Sequence, residues 1–350
     1  MTDPRDTVGR SGVIAGGNWI VDHVKIIDAW PQQDTLANIL SQTDANGGSP
    51  YNILVDLAKM GADFPLEAVG LVGDDADGRL IRAECTALGI KTDALQSTRK
   101  AATSYTDVMS VQSTGRRSFF HQRGANALLG PEHFDFATTR AKHFHLGYAL
   151  LLDRLDGLID GVPGMQLVFA AAHAAGLTTS LDCVSESGDR FASVVTPVLP
   201  QVDVFLANDF EAEKITGIAV RKGDRLDRAG TEAAARRLIE LGVRAWVVLH
   251  FPEGACACSR QGEIVWQGSL KVPRSAIRGA AGAGDAFAAG VLLGWHNGHD
   301  FLWNLKLGVG AAAACLRDPT CSGSIPSLTE IDALARVWGY RDPFADFAAQ

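Results

Sequence analysis

Asp285 follows directly on a run of small residues, Gly279-Ala280-Ala281-Gly282-Ala283-Gly284, and precedes an apolar, Ala-rich stretch that starts Ala286-Phe287. A small-residue turn feeding a helix leaves several N–H groups without intrahelical partners, at the positive end of the helix dipole. Anions bind there, phosphate above all. A carboxylate at the same place repels phosphate, and its presence makes chemical sense if Asp285 takes the proton of a hydroxyl that attacks phosphorus. The competing reading is structural: Asp285 closes a tight turn as an N-cap. No GxxxxGK[ST] phosphate loop occurs in the chain, and glycines 279, 282 and 284 do not make GxGxxG, which argues against a Walker loop and a dinucleotide fold.

Other polar residues fall where elements should end. Residues 11–22, SGVIAGGNWIVD, read as one opening strand that runs through glycines to a polar end bearing Asn18 and Asp22. Carboxylates accept from vicinal hydroxyls, so Asp22 suits a sugar, although a solvated strand end reads the same way. Gly47 and Gly48 stand before a helical pattern, ILVDLAKMG, with Asn52 one turn in. Glycines there let a ligand approach the backbone. A strand over 66–72 leads to a turn shaped by Asp74 and Asp75, and residues 102–123 read as a hairpin around Ser-Thr-Gly. From 141 to 250 apolar strands alternate with helical patterns, as in a parallel sheet flanked by helices. Ligands of such sheets lie beyond the carboxyl ends of the strands, where His145, Asp182 and Asn208 are expected. Asn208 and Glu211, three residues on, suit either a capped helix start or an ion held through water.

Composition limits the alternatives. With 350 residues, 47% hydrophobic, the chain can bury a large core. A net charge of −8 argues against nucleic acid or an anionic membrane as partner. No run approaches the ~18 apolar residues of a membrane helix, and the N-terminus has no apolar segment, so the expectation is a soluble, cytoplasmic protein. The six cysteines lack zinc-ligand spacing and read as reduced, structural thiols; Cys256 and Cys258 should face one side of a strand.

Taken together, Pro273 followed by Gly-Ala-Gly-Asp, Gly47-Gly48 with Asn52, the Gly17-Asn18…Asp22 pattern, Gly124-Ala125-Asn126-Ala127 and Asn208-x-x-Glu211 resemble the ordered signatures of the ribokinase-like (PfkB) carbohydrate kinases. The resemblance implies a three-layer α/β/α sandwich with a mostly parallel central sheet and a small β-sheet lid. A single domain would span 12–330, with lid strands within about 17–45 and 100–124, and tails at 1–11 and 340–350. It implies ATP-dependent phosphorylation of a sugar or similar polyol, with Asp285 as general base and Gly282, Ala283 and Gly284 as the anion hole. By the same resemblance Asn18, Asp22, Gly47, Gly48 and Asn52 hold substrate, while Asn208, Glu211 and Gly254 serve nucleotide and Mg²⁺, Glu211 through water. A homodimer through the lid is also implied. Two departures stand out. Gly279-Ala280 replaces the family's Asp-Thr, which predicts no K⁺ activation through that Asp, and Leu249-His250-Phe251-Pro252-Glu253 replaces a Thr/Gly-rich nucleotide turn, leaving only Gly254. A nucleoside kinase on the same fold and a non-catalytic binding descendant are the alternative readings.

Overall fold

The computed structural model describes residues 9–114 and 116–344. The chain begins with strand β1 (Val13–Gly17), buried at every position. Two lid strands follow, β2 (Ile20–Ile27) and β3 (Ile39–Gly47), then helix α1 (Ser49–Met60). Next come β4 (Leu66–Gly73), α2 (Ala76–Ala87) and β5 (Lys91–Thr98). The hairpin β6 (Ser104–Val111) and β7 (Arg117–Gln122) returns to the lid. The chain then alternates through β8 (His143–Ala149), α3 (Gly164–Ala174), β9 (Thr178–Cys183), β10 (Val204–Asn208), α4 (Asp209–Thr216), α5 (Arg228–Glu240) and β11 (Trp246–Phe251). It closes with β12 (Gly254–Ser259), β13 (Ile264–Gly268), α6 (Ala283–His296), α7 (Phe301–Cys315) and α8 (Leu328–Trp338).

A nine-stranded sheet has the order β13-β12-β11-β10-β9-β8-β1-β4-β5. Its pairs are parallel except for the edge formed by β11, β12 and β13. Successive residues of a strand face opposite sides. Val204 and Leu206 therefore pack toward α1, α6 and α7, while Phe205 and Ala207 pack toward α3 and α5. Cys256 and Cys258 share that second layer, on one side of β12 as their spacing predicts, and all six cysteines are free thiols. Among the described residues no helix is long and apolar enough to cross a membrane. The separate lid has the order β3-β2-β6-β7, with β2 and β6 parallel.

The opening strand expected over 11–22 is in fact two strands in different sheets. At Gly17, φ is 132° and a Cβ would sit 1.8 Å from the carbonyl oxygen of Gly147. Only glycine fits there, and the bend carries the chain out of the central sheet and into the lid. The tails differ too. Residues 1–8 and 345–350 lie outside the described residues, but Tyr340 bridges Leu270, and the Arg341 N–H donates to the Ser269 carbonyl at 2.8 Å. From 340 to 344 the chain is laid against the sheet edge.

The bend yields a direct test. Gly17→Ala forces a Cβ into Gly147 backbone and should cost upward of about 3 kcal/mol. Urea unfolding measures it, and a loss under about 1 kcal/mol would show that the strand ends relax around a side chain.

Candidate active site

Helix α6 starts at Gly282, whose φ of 75° is left-handed and whose Cβ would lie 2.6 Å from the carbonyl oxygen of Cys321. The resulting tight entry sets Asp285 in the first turn, buried. Its carboxylate accepts from Asn52 Nδ2 at 2.6 Å and from the Tyr148 hydroxyl at 2.7 and 2.8 Å. Asn52 stands on α1 and Tyr148 near the carboxyl end of β8. Burial, and then the nearby Asp182, push Asp285 up to about 7; the hydrogen bonds from Asn52 and Tyr148 hold it from rising further.

Asp182 is itself the end of a buried chain of hydrogen bonds. Ser49 Oγ donates to its Oδ2 at 2.7 Å and stands 3.0 Å from His145 Nε2. His145 Nδ1 is 2.8 Å from Ser180 Oγ, which is 2.7 Å from His143 Nε2; His143 Nδ1 is 2.7 Å from Thr178 Oγ1. A carboxylate only accepts, so the Ser49 proton goes to Asp182 and Ser49 accepts from His145 Nε2–H. The same logic makes Ser180 donate to His145 Nδ1 and accept from His143 Nε2–H. Every dipole in the chain thus points its positive end toward Asp182. His145 was expected at a strand end; β8 runs on to Ala149, which puts His145 inside the sheet, reaching Asp182 through Ser49.

The remaining residues expected around substrate converge on the same place. Asp22 on β2 has an oxygen 2.7 Å from where a Cβ on Gly47 would be, and burial pushes it up to about 6. Gly48, φ 88°, lies so close to Asn18 that a Cβ would be 2.0 Å from its carbonyl oxygen. Both polar atoms of the buried Asn18 side chain, Asn52 Oδ1 and Asp182 Oδ1 have no hydrogen-bond partner. Buried polar groups are normally satisfied, so these atoms lack a partner that the chain itself does not supply. The role expected for Asn52 is divided, because its amide N–H₂ group already serves Asp285.

Asn208 and Gly254 lie around the same cavity as Gly284, and Glu211 lies behind Asn208. Asn208 and Gly254 line a cavity of about 470 Å³ with Ala283, Gly284, Phe287 and Ala312. Asn208 and Glu211 form a capping box: Glu211 N–H donates to Asn208 Oδ1 at 2.9 Å, and Asn208 N–H to Glu211 Oε2 at 2.9 Å. Ser185 and Asn208 Nδ2 donate to the other Glu211 oxygen. Glu211 is buried rather than on the surface, and burial, with Asp182 and Asp209 adding, pushes it up to about 8. Its oxygens are already engaged, and among the described residues no three His, Cys, Asp or Glu groups could hold a metal directly. That donor set fits a hydrated cation held at second hand, since Mg²⁺ keeps several waters. The altered turn still walls the cavity with His250, Phe251 and Pro252, while Glu253 is taken up by a bidentate pair with Arg221 at 2.8 and 2.9 Å. His250 lies against the turn that starts α6: a Cβ on Gly284 would be 3.3 Å from its Cε1. Gly279 packs against Pro319 and the guanidinium of Arg117.

A turn at a helix start thus borders a largely apolar cavity, with a cluster of buried polar side chains around Asp285 beside it, and residues 17–328 match the model of the pfkB family of carbohydrate kinases. The chain belongs to that family. It is 29% identical over 284 residues to an ATP-dependent ribose-1-phosphate kinase of Halopiger xanaduensis, covering 81% of this chain and 84% of that one. It is 24% identical over 326 residues to a 5-dehydro-2-deoxygluconokinase of Shouchella clausii, covering 92% and 94%. Its fold superposes on Arabidopsis thaliana ribokinase, solved with ribose and ATP, with a TM-score of 0.75 at 20% identity, covering 93% and 98%. The fold is therefore the ribokinase-like sandwich expected from the sequence, and the chain is a PfkB-type carbohydrate kinase.

Sequence reasoning missed Tyr148. The available signal was the strand HFHLGYA, whose carboxyl end in a parallel sheet is where ligand-facing groups stand. Burial, and then Asp285, keep its phenol protonated, so Tyr148 is a permanent donor to the kinase's carboxylate. Tyr148→Phe removes a hydrogen bond that favours the charged form, so the proton affinity of Asp285 rises. A general base works only when ionised; with Asp285 in that role, turnover should climb with pH through about 7 in the parent. In Tyr148→Phe that limb should move up by about one pH unit, the worth of one hydrogen bond to a charged group. An unchanged pH–rate profile would show that Tyr148 does not hold the base.

Proposed function

We propose that this kinase transfers the γ-phosphoryl group of ATP to a hydroxyl of a sugar or sugar-like polyol, with Asp285 as the general base. The observation that carries the reading is the position of Asp285. It is a buried carboxylate with a proton affinity near neutrality, in the first turn of α6. Its hydrogen-bond partner Asn52 keeps a buried, partnerless Oδ1, and the residues just before it, Ala283 and Gly284, wall the 470 Å³ cavity.

The sugar lies between Asn18, Asp22, Gly47, Gly48 and Asn52. Its acceptor hydroxyl gives its proton to Asp285, and the oxygen forms the new bond to phosphorus as ADP leaves. Backbone N–H groups of the turn Gly282-Ala283-Gly284 face the transferred phosphoryl oxygens and stabilise the charge that builds there. The apolar cavity takes the base of the nucleotide against Phe287 and Ala312. Glu211 and Asn208 hold Mg²⁺ through water; the ion, when bound, offsets phosphate charge. Lid strands β2, β3, β6 and β7 roof the sugar and exclude water, which would otherwise compete for the phosphoryl group.

The lid also supports pairing of two copies of the chain. Trp30 stacks on Phe120 at 6.1 Å and 7°, and both rings are half exposed. Phe119, the preceding residue of β7, is 64% exposed on the opposite face of the sheet. Exposed apolar clusters of this kind mark contact surfaces. Sedimentation should find a dimer that Phe120→Glu converts to monomer, and a monomeric parent would sink this pairing.

The decisive test of the activity is ADP release from ATP and Mg²⁺ across neutral sugars, sugar acids, sugar phosphates and nucleosides, with Asp285→Asn beside the parent. One class of acceptor should turn over, and the variant should lose about 10²–10⁴-fold in kcat, the usual share of a general base. Because burying the charge of Asp285 costs stability, the variant should melt no lower than the parent at pH 8. Full activity in Asp285→Asn, or turnover of nucleosides alone, would overturn the reading.

A further inference from the structure

One side chain of the lid reaches the loop that leads into α6. Arg117 is the first residue of β7 and pairs with Ser110 of β6. Strand residues two apart share a face, as do directly paired residues, so Arg117 is on the face that carries His121, Thr106 and Asp22. A Cβ on Gly279 would be 3.1 Å from Arg117 Nη2 and 3.1 Å from the Asp318 carbonyl oxygen. Gly279 stands three residues before Gly282, the N-cap of α6. Three residues of chain span at most ~11 Å.

What this guanidinium lacks is an anion. Arg117 is half-buried, and among the described residues its side chain has neither an ion pair nor a hydrogen bond. Other cations of the lid are matched: Lys25 pairs with Asp107, and Arg123, just after β7, pairs with Asp153 at 3.0 Å. Arg116 is exposed to solvent. The carboxylate of Asp318 is turned into its own loop, where Oδ1 accepts from the Thr320 N–H at 2.8 Å and from the Thr320 hydroxyl at 2.6 Å. A charge drawn part-way out of water needs a partner, and the planar fork of a guanidinium fits a phosphate. The cavity beside the turn has the opposite want. Among the described residues that line it, Arg341 alone is a cation, and its Nε donates to the Leu270 carbonyl at 3.3 Å.

We propose that Arg117 is a phosphate contact carried by the lid: its guanidinium pairs with a nonbridging oxygen of the donor nucleotide's phosphate chain beside the turn that begins α6. This rests on the kinase reading above and adds a residue to its phosphate site. β7 joins β2 through β6, so the charge that meets the phosphates and Asp22 belong to one sheet. Phosphate bound at the turn therefore holds the lid against the helix layer that carries Asp285.

Calorimetry in Mg²⁺ tests this with three probes: adenosine, the nonhydrolysable ATP analogue AMP-PNP, and inorganic tripolyphosphate. Arg117→Gln should weaken AMP-PNP and tripolyphosphate by about tenfold or more, the worth of a hydrogen bond to a charged group. Adenosine, which has no phosphate, should bind the variant as it binds the parent, and that unchanged affinity doubles as the check that the variant is folded. Arg117→Lys keeps the charge without the fork and should recover part of the loss. Unchanged AMP-PNP affinity in Arg117→Gln would overturn the assignment and leave the kinase reading standing. An equal loss for adenosine would show a structural side chain and overturn it as well. Tripolyphosphate bound through Arg117, with neither adenosine nor AMP-PNP bound by the parent, would refute the nucleotide reading and leave Arg117 a phosphate ligand. A parent that binds none of the three would sink both.

Discussion

Two carboxylates, Asp285 and Asp182, share the buried end of the central sheet, and like charges in a desolvated pocket cannot both ionise cheaply. The surroundings of the two differ. Asp182 receives the Ser49 hydroxyl and, behind it, the aligned dipoles of His145, Ser180 and His143. Asp285 receives Asn52 and Tyr148, but it is the more deeply buried and takes the repulsion as raised proton affinity. A carboxylate poised near neutrality can accept a proton from a hydroxyl and lose it again within one turnover, which one near the ordinary carboxylate range does poorly. The fold supplies this arrangement from far-separated pieces: the start of α1, the ends of β8 and β9, and the start of α6.

The chambers on either side of Gly284 differ in the physics they use. Toward the lid, Asn18, Asn52 and Asp182 keep buried polar atoms without partners, which suits a ligand covered in hydroxyls. Toward β11 and α7 the walls are Phe287, Val309, Ala312 and Leu316, which suit a flat apolar group and read little beyond its shape.

The parallel sheet, its helices and the hairpin of the lid were legible in the chain, because each depends on patterns within a dozen residues. The same holds for Asp285 at a helix start, since Gly282 and Gly284 are local requirements. What escaped depends on contacts across the sequence. The break at Gly17 exists because Gly147 presses on it from another strand. Tyr148 matters through Asp285, and Asn52 turns toward the same carboxylate, relations that span well over a hundred residues. Asn208 and Glu211 show the converse: their three-residue spacing produced a capping box, a local bond that spacing alone could not tell from an ion site.

The departures at Gly279 and in the turn before Gly254 become less severe in three dimensions. A nucleotide wall needs a surface of the right shape, and backbone or apolar side chains supply it with little regard to residue identity. His250, Phe251 and Pro252 line the cavity that a Thr/Gly-rich turn would otherwise border, and Gly254, φ 157°, still lets the strand reverse tightly against Gln267. Glu253, which would place a charge at that wall, is drawn away by Arg221. Gly279 leaves room for Arg117, so a lid residue reaches the loop that leads into α6. A motif read letter by letter registers these as losses; the cavity persists because packing, not the letters, defines it.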